Sequence, residues 1–204
     1  MQGFRIAEIA ETIQGEGWWT GLPVTLLRLQ GCNLHCPFCD TAYSLDKNGG
    51  KLLSIGKLFG TLEKFHPKGR TILLTGGEPT IQPLEYLVPP LTSLGPVHLE
   101  TNGTNPLDKG LFYTWVTVSP KPPNKVHPTA LGRADEIKWL VGSEDDVAAL
   151  CAFLEEHKSK WMDYKRITVQ PISQDPEATK IAMAACMKYN WRLSLQMHKY
   201  LEVP

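Results

Sequence analysis

Residues 24–39 are Val24-Thr25-Leu26-Leu27-Arg28-Leu29-Gln30-Gly31-Cys32-Asn33-Leu34-His35-Cys36-Pro37-Phe38-Cys39, and this stretch decides the fold. Its first six residues are mostly apolar, which predicts a strand that is buried on both faces. A glycine and three cysteines follow directly. In parallel α/β folds, ligands bind at the carboxyl ends of the strands. We therefore expect a buried parallel strand with a three-cysteine site at its carboxyl end.

Further segments have the same strand character, and they alternate with helical patterns. Strands are expected at 71–74, 97–100, 115–118, 136–141, 167–169 and 193–195. Helices are expected at 54–65, at 84–94 with a kink or break at Pro89-Pro90, around Val147 to Leu154 with a Ser143/Asp146 capping box, and after Asp175 and Pro176. This alternation implies parallel strands joined by right-handed crossovers. A complete eight-unit barrel takes roughly 250 residues, so we expect 1–204 to form one α/β domain with an incomplete barrel or open sheet.

Composition excludes several classes of protein. Twenty-one basic residues balance twenty-one acidic ones, which argues against a generally basic nucleic-acid binder. No apolar run reaches the roughly 18 residues of a membrane span. The first residues lack a signal-peptide pattern, so a cytoplasmic location is expected. Five cysteines form no paired disulfide set, and Cys151 and Cys186 on apolar helix faces are expected to be core thiols.

The three clustered cysteines favour a metal centre in a reducing compartment. Iron–sulfur clusters are held by cysteine thiolates, normally four, so three ligands would leave one iron of a [4Fe-4S] cube open. A zinc site with His35 as the fourth ligand and a chance cluster of core cysteines are the alternatives. The spacing, without a second Cys-x-x-Cys pair, is poor for a zinc knuckle.

The cysteine spacing, with the aromatic Phe38 before the last cysteine, resembles the signature of radical S-adenosylmethionine enzymes. That resemblance implies an incomplete βα barrel, and a cluster whose open iron chelates S-adenosylmethionine and whose electron generates a 5′-deoxyadenosyl radical. Gly76-Gly77-Glu78-Pro79 resembles the motif that receives the methionyl ammonium. The implied cofactor-binding residues are Phe38, Cys39, Asp40, Gly77, Glu78, Ser119, Pro120, Lys121, Gln170, Pro171, Ile172 and Ser173, and the cluster ligands are Cys32, Cys36 and Cys39.

The N-terminal segment Glu8-x-x-x-Thr12-x-Gln14-Gly15-Glu16-Gly17 resembles that of the 7-carboxy-7-deazaguanine synthases, and the similarity extends to Pro204. This family converts 6-carboxy-5,6,7,8-tetrahydropterin to 7-carboxy-7-deazaguanine and ammonia, with Mg²⁺. The resemblance implies Mg²⁺ at Thr41 and substrate binding by Ile13, Gln14, Gly15, Glu16, Arg28, Thr75, His198 and Pro204. Gln14 and Glu16 suit the polar edge of a pterin, and the Arg28 fork suits a carboxylate.

The resemblance also implies partners: an external one-electron donor such as flavodoxin or ferredoxin, and a second copy of the chain in a homodimer. No nucleic acid or membrane is expected to bind. The roles of Trp18 and Trp19 stay open between the substrate pocket and a dimer contact. The competing functions are a glycyl-radical activase, which lacks the Gln14–Gly17 motif and the C-terminal match, and a non-catalytic zinc or iron–sulfur module.

Overall fold

The computed structural model describes residues 3–158 and 166–204, and their strands form one nine-stranded sheet. The elements in chain order are β1 (Gly3–Ile13), β2 (Pro23–Leu29), β3 (Lys51–Ser54), α1 (Ile55–Phe65), β4 (Thr71–Gly76), α2 (Leu84–Thr92), β5 (Val97–Thr101), β6 (Trp115–Val118), α3 (Pro128–Arg133), β7 (Glu136–Val141), α4 (Glu144–Glu156), β8 (Arg166–Pro171), α5 (Pro176–Tyr189), β9 (Arg192–Leu193) and α6 (Met197–Leu201). The strand order is β3-β1-β2-β4-β5-β6-β7-β8-β9, so the sheet does not close.

The parallel part of the sheet confirms the prediction of an incomplete α/β barrel. β2 and β4 to β9 pair in parallel, each beside the next. The antiparallel part was not predicted: β1 pairs antiparallel with both β2 and β3. The loop at 14–22 that joins β1 to β2 is shorter than the dozen or more residues that a parallel crossover needs, so these two strands can only form a hairpin.

The two faces of the parallel strands carry different residues because side chains alternate along a strand. On β7, Ile137, Trp139 and Val141 pack into the core beneath the helices, whereas Lys138 and Leu140 face a cavity on the inner face. The other strands follow the same alternation. The outer face therefore supplies the main hydrophobic core, and the inner face is free to carry polar groups.

The helix ends mostly follow the predicted local signals. Ser143 and Asp146 form the capping box of α4, and Asp175 Oδ1 accepts a hydrogen bond from Ala178 N at 2.8 Å to cap α5. Of the kink or break expected at Pro89-Pro90, the break is wrong, since α2 continues through both prolines to Thr92. These prolines lie in the last turns of a short helix, and the carbonyls they leave without partners belong to two exposed residues, Glu85 and Tyr86.

No helix among residues 3–158 and 166–204 combines the length and the hydropathy needed to cross a lipid bilayer.

Candidate functional site

A cavity of about 390 Å³ opens at the carboxyl ends of the parallel strands. It brings together all of the predicted site residues except Glu78 and Pro120, although these positions are spread over almost the whole chain. The predicted residues that line it are Ile13, Gln14, Gly15, Glu16, Arg28, Cys32, Cys36, Phe38, Cys39, Asp40, Thr41, Thr75, Gly77, Ser119, Lys121, Gln170, Pro171, Ile172, Ser173, His198 and Pro204. Trp18 and Trp19 do not line the cavity.

The three cysteines lie in the loop after β2, all along one wall of the cavity. Zinc binds ligands at roughly 2.0–2.3 Å, which places four tetrahedral ligands within about 4 Å of one another. Among the described residues, the group of metal-ligating atoms that lies within 4.8 Å is Glu16, Asp40 and His198, and the cysteines form no such group. His35 is exposed and is not part of the lining. The arrangement therefore favours a multi-iron cluster over a single zinc ion.

The chemistry of these thiols also fits such a cluster. Burial raises the pKa of Cys32, with the Glu78 carboxyl adding to the effect, and burial raises the pKa of Cys36 against the influence of Lys121. A buried thiolate needs positive charge beside it. The iron ions of a cluster would supply this positive charge. The residues present therefore fit an iron–sulfur cluster with three protein ligands.

Gly77 packs directly against the cysteine loop. A Cβ at this position would lie 2.5 Å from Gly31 O, 2.7 Å from Ser44 O and 2.8 Å from Cys32 Cβ. The turn after β4 therefore needs glycine for close approach, and its backbone forms part of the cavity wall.

The Glu78 side chain points away from the cavity and is fully buried. Its Oε1 accepts hydrogen bonds from Thr80 N, Thr80 Oγ1 at 2.6 Å and Thr101 Oγ1 at 2.7 Å, and its Oε2 accepts one from Asn102 N at 2.6 Å. Three protein donors thus bond Oε1 and one bonds Oε2, and the role of Glu78 beside the methionyl ammonium stays a prediction. Here Glu78 joins the turn after β4 to the end of β5, and only the backbone of Gly76 and Gly77 faces the cavity.

The ends of the later strands also contribute to the cavity lining. Lys121 Nζ donates to Ser119 Oγ at 2.5 Å and to Ser119 O at 2.8 Å. Burial, together with the nearby Lys138 ammonium, lowers the pKa of Lys121 to about 8. Pro120 between them is buried and does not line the cavity.

Gln170 and Pro171 at the end of β8, and Ile172 and Ser173 directly after it, also line the cavity. Gln170 accepts a hydrogen bond from Ser194 Oγ at 2.8 Å. Ser173 adopts a left-handed backbone conformation with φ of 55°. This conformation is energetically unfavourable for residues other than glycine, and it is common at ligand sites.

A buried network of charges also lines the cavity. Lys138 Nζ donates to Glu16 Oε2 at 2.6 Å and to Glu100 Oε2 at 2.8 Å, and Gln14 Nε2 donates to Glu100 Oε1 at 2.7 Å. Burial opposes ionisation, but Lys138 lowers the pKa of Glu16 to about 2. The two carboxylates in turn hold the pKa of Lys138 above its usual value, although burial opposes this. Glu16 and Lys138 are therefore both charged at neutral pH.

The C-terminal segment closes the cavity above this network. Gln196 Nε2 donates to Glu16 Oε1 at 2.9 Å and to Asp40 Oδ2 at 2.7 Å, and Lys199 Nζ lies 3.1 Å from Asp40 Oδ2. Pro204 O accepts a hydrogen bond from Thr12 Oγ1 at 2.8 Å. The His198 ring lies so close to Gly15 that a Cβ there would collide with it. Because Lys138 and Lys199 already neutralise Glu16 and Asp40, these carboxylates do not need a metal ion.

Arg28, Thr41 and Thr75 occupy the remaining predicted positions. Arg28 Nε donates to Glu8 Oε2 at 3.2 Å, which leaves the two terminal guanidinium nitrogens for a ligand. Thr75 lies beside Arg28 on the neighbouring strand. The Thr41 hydroxyl lies 3.7 Å from Cys39 Sγ.

Sequence reasoning missed Glu100, Lys138 and Gln196 as cavity residues. The available signal was a charge inside an apolar strand. In Glu136-Ile137-Lys138-Trp139-Leu140-Val141, charged residues alternate with large apolar ones. Charged side chains are rarely buried without partners, so this pattern points to a polar inner face.

The comparisons with known proteins agree with this geometry. The model of the Radical SAM superfamily matches residues 26–140. A 7-carboxy-7-deazaguanine synthase from Buchnera aphidicola is 36% identical, and the match covers 98% of this chain and 99% of that protein. The protein of the same name from Escherichia coli strain K12 is 35% identical with the same coverage. The crystal structure of QueE from Escherichia coli superposes with a TM-score of 0.83 at 34% identity, covering 96% of this chain and 95% of that one.

The three-cysteine loop, the glycine turn and the nearly full-length similarity together lead to one conclusion: the chain belongs to the 7-carboxy-7-deazaguanine synthase family within the radical S-adenosylmethionine superfamily.

Proposed function

We propose that this protein converts 6-carboxy-5,6,7,8-tetrahydropterin to 7-carboxy-7-deazaguanine with loss of ammonia, as a carbon–nitrogen lyase in deazapurine biosynthesis. The observation that carries the proposal is the convergence of the cysteine loop and the Gln14–Glu16 segment on one cavity. A radical generated beside the cysteine loop can reach a pterin that the Gln14–Glu16 segment binds in the same cavity. The names of the relatives support the choice of product, and the pterin substrate follows from the resemblance to the family.

In this proposal, Cys32, Cys36 and Cys39 hold the [4Fe-4S] cluster. S-adenosylmethionine lies against Phe38 to Asp40, the backbone of Gly76 and Gly77, Ser119, Lys121 and 170–173. When bound, the cluster and S-adenosylmethionine supply the organic radical that abstracts a hydrogen atom from the substrate. The protein positions the reactants and keeps water out of the cavity.

The substrate is held from three sides. Glu16 and Gln14 accept hydrogen bonds from the N–H donors of the pterin, and the terminal nitrogens of Arg28 bind its carboxylate. Thr75 and His198 bound the ring, and Pro204 closes the cavity. The Thr41 hydroxyl would hold Mg²⁺, since Mg²⁺ prefers hard oxygen ligands and keeps several waters, and the ion would orient the substrate through its oxygens.

A turnover assay tests the proposal. The protein is reconstituted anaerobically with iron and sulfide and incubated with the carboxytetrahydropterin, S-adenosylmethionine, Mg²⁺ and a reductant. We expect a four-iron absorption and EPR signal, and a product with the mass of the deazapurine. Clusters that form without any deazapurine would instead indicate a different radical enzyme, such as an activase.

The role of Mg²⁺ at Thr41 is tested separately. Thr41→Ala should raise the Mg²⁺ concentration needed for half-maximal turnover, whereas Thr41→Ser should keep it near the wild-type value. An equal Mg²⁺ dependence in all three proteins would contradict this assignment.

We also propose a flavodoxin or ferredoxin as electron donor, a homodimer and a cytoplasmic location, all by likeness to the family. Light scattering on the purified protein measures the mass of the assembly. Turnover with reduced flavodoxin in place of a chemical reductant tests the donor.

A further inference from the structure

Lys138 is linked to both Glu16 and Gln14, the two side chains that would recognise the substrate. It lies on the inner face of β7 with its side chain only 4% exposed, and its ammonium group bonds Glu16 and Glu100 at the same time. Glu100 Oε1 in turn accepts from the Gln14 amide. One buried cation thus contacts Glu16 directly and Gln14 through a single intermediate carboxylate.

This arrangement fixes what Gln14 and Glu16 can offer a ligand. Because Gln14 Nε2 donates to Glu100, the Gln14 carbonyl oxygen points away from that bond, and it has only a long 3.4 Å contact from Glu16 N. Lys138 and Gln196 each bond one oxygen of Glu16, which leaves each oxygen a further lone pair. The two side chains therefore present acceptors to the cavity.

The charges around Glu16 show why a cation is required there. The groups that face it are Glu100 from β5, Asp40 from the cysteine loop, Lys121 after β6, Lys138 from β7 and His198 from α6. Without Lys138, Glu16 and Glu100 would lie in a buried site with no ammonium bonded to either, and like charges would force protonation or displacement. A protonated Glu16 would present a donor where an acceptor is needed.

We propose that Lys138 is a positioning residue for the substrate: it holds Glu16 and, through Glu100, Gln14 as a fixed edge of hydrogen-bond acceptors. This edge selects a ligand with neighbouring N–H donors, such as the 2-amino-4-oxopyrimidine half of a pterin. The inference rests on the proposed function. It predicts that loss of Lys138 weakens recognition of that half of the substrate while the cluster remains intact.

Substrate binding to the reconstituted enzyme tests this inference. Isothermal titration calorimetry with S-adenosylhomocysteine present gives the Kd of the carboxytetrahydropterin and of an analogue with oxygen in place of its 2-amino group. Lys138→Met should raise the Kd for the pterin roughly 10- to 100-fold, because hydrogen bonds to charged groups are lost or misplaced. It should change the Kd for the analogue much less, so the preference for the pterin should shrink.

A double variant separates charge balance from packing. Glu100→Gln keeps an acceptor for Gln14 and removes one of the two carboxylates, so Lys138→Met combined with Glu100→Gln should bind the pterin more tightly than Lys138→Met alone. It should still bind the pterin more weakly than the wild type, because no ammonium group holds Glu16. Lys180→Met serves as the control, since Lys180 lies in an exposed pair with Glu177, and it should match the wild type. Iron content and thermal melting are measured for every variant.

The outcomes are distinguishable. A wild type that makes no deazapurine overturns the proposed function itself. A wild type that makes it, with Lys138→Met binding the pterin within twofold or keeping its full preference over the analogue, overturns the role of Lys138. A double variant no better than the single one overturns the charge-balance argument. If Lys138→Met does not fold, the double variant decides the question: a Kd within twofold of wild type overturns the inference.

Discussion

The inner face of the sheet has two regions, and the buried carboxyl groups of the two regions have different kinds of hydrogen-bond partners. The upper lumen, around Glu16, Glu100 and Lys138, lines the cavity and pairs carboxylates with an ammonium. The lower lumen, around Trp19, His98, Trp115 and Glu136, is filled with side chains. There the donors to Glu136 among the described residues are all neutral: Trp18 N at 3.0 Å, Trp115 Nε1 at 3.3 Å, Thr117 Oγ1 at 3.0 Å and Thr168 Oγ1 at 2.5 Å.

The 14–22 loop connects the two regions. Its first residues supply Gln14 and Glu16 to the upper lumen, and its next residues place Trp18 and Trp19 in the lower one. Trp19 packs at 5.3 Å from the Trp115 ring and 5.6 Å from the His98 ring. The lower lumen therefore anchors the loop. The upper lumen instead exposes hydrogen-bond acceptors of the loop to the cavity. Damage below should therefore cost stability, and damage above should cost activity.

The largest effect is expected from Cys36→Ala in the upper lumen. Loss of one of three ligands should abolish the four-iron signal and reduce turnover at least ~10³-fold, equivalent to about 4 kcal/mol. The free energy of unfolding of the cluster-free protein should change by about 1 kcal/mol or less, because Cys36 is only half-buried. Cys151→Ala on α4 is the control. A retained cluster in Cys36→Ala would contradict the assignment.

Glu136→Ala should have the largest effect on stability. Four donors would lose their acceptor in a buried site, which costs about 3–5 kcal/mol in urea unfolding. Glu136→Gln keeps one acceptor oxygen and should cost less. Glu155→Ala, at an exposed pair on α4, should change stability by less than about 0.5 kcal/mol. If Glu136→Ala melted like wild type, the lower lumen would not be the anchor of the loop.

His98 should make the lower lumen sensitive to acid. Burial lowers its pKa to about 4, whereas the unfolded chain has a value near 6.5, so unfolding takes up a proton between these values. The contribution of the neutral His98 imidazole to the free energy of unfolding is complete above pH 6.5, and it is lost as the pH falls towards 4. Wild-type stability should fall by about 1–2 kcal/mol more than that of His98→Phe between pH 7 and pH 5. Parallel curves for the two proteins would argue against a buried neutral imidazole.

The smallest effect is expected outside both regions. Gly60 lies inside α1, and a Cβ there meets nothing within 4 Å. Gly60→Ala should therefore stabilise the protein by about 0.5–1 kcal/mol through helix propensity and leave turnover unchanged. A change in activity would mean that the helical layer communicates with the cavity.

Local sequence patterns predicted the parallel strands and the residues at their carboxyl ends, because each pattern spans only a few neighbouring positions. They did not predict the antiparallel β1 and β3, whose pairing depends on loop length and long-range contacts. Nor did they place Lys138 beside Glu16, since this contact joins positions 122 residues apart. Glu78 shows a further limit: the motif predicted the turn, but not that Thr80, Thr101 and Asn102 donate hydrogen bonds to its side chain.

The open sheet has a consequence for solubility. A sheet that does not close exposes backbone hydrogen-bonding groups at both margins, and such margins can pair with other chains and aggregate. Here the outermost strands are β3 and β9, with only four and two residues. Each also begins with an exposed basic residue, Lys51 or Arg192. Such short edge strands with charged residues offer few backbone groups for pairing between molecules, so the open sheet has no long exposed edge strand that would favour aggregation.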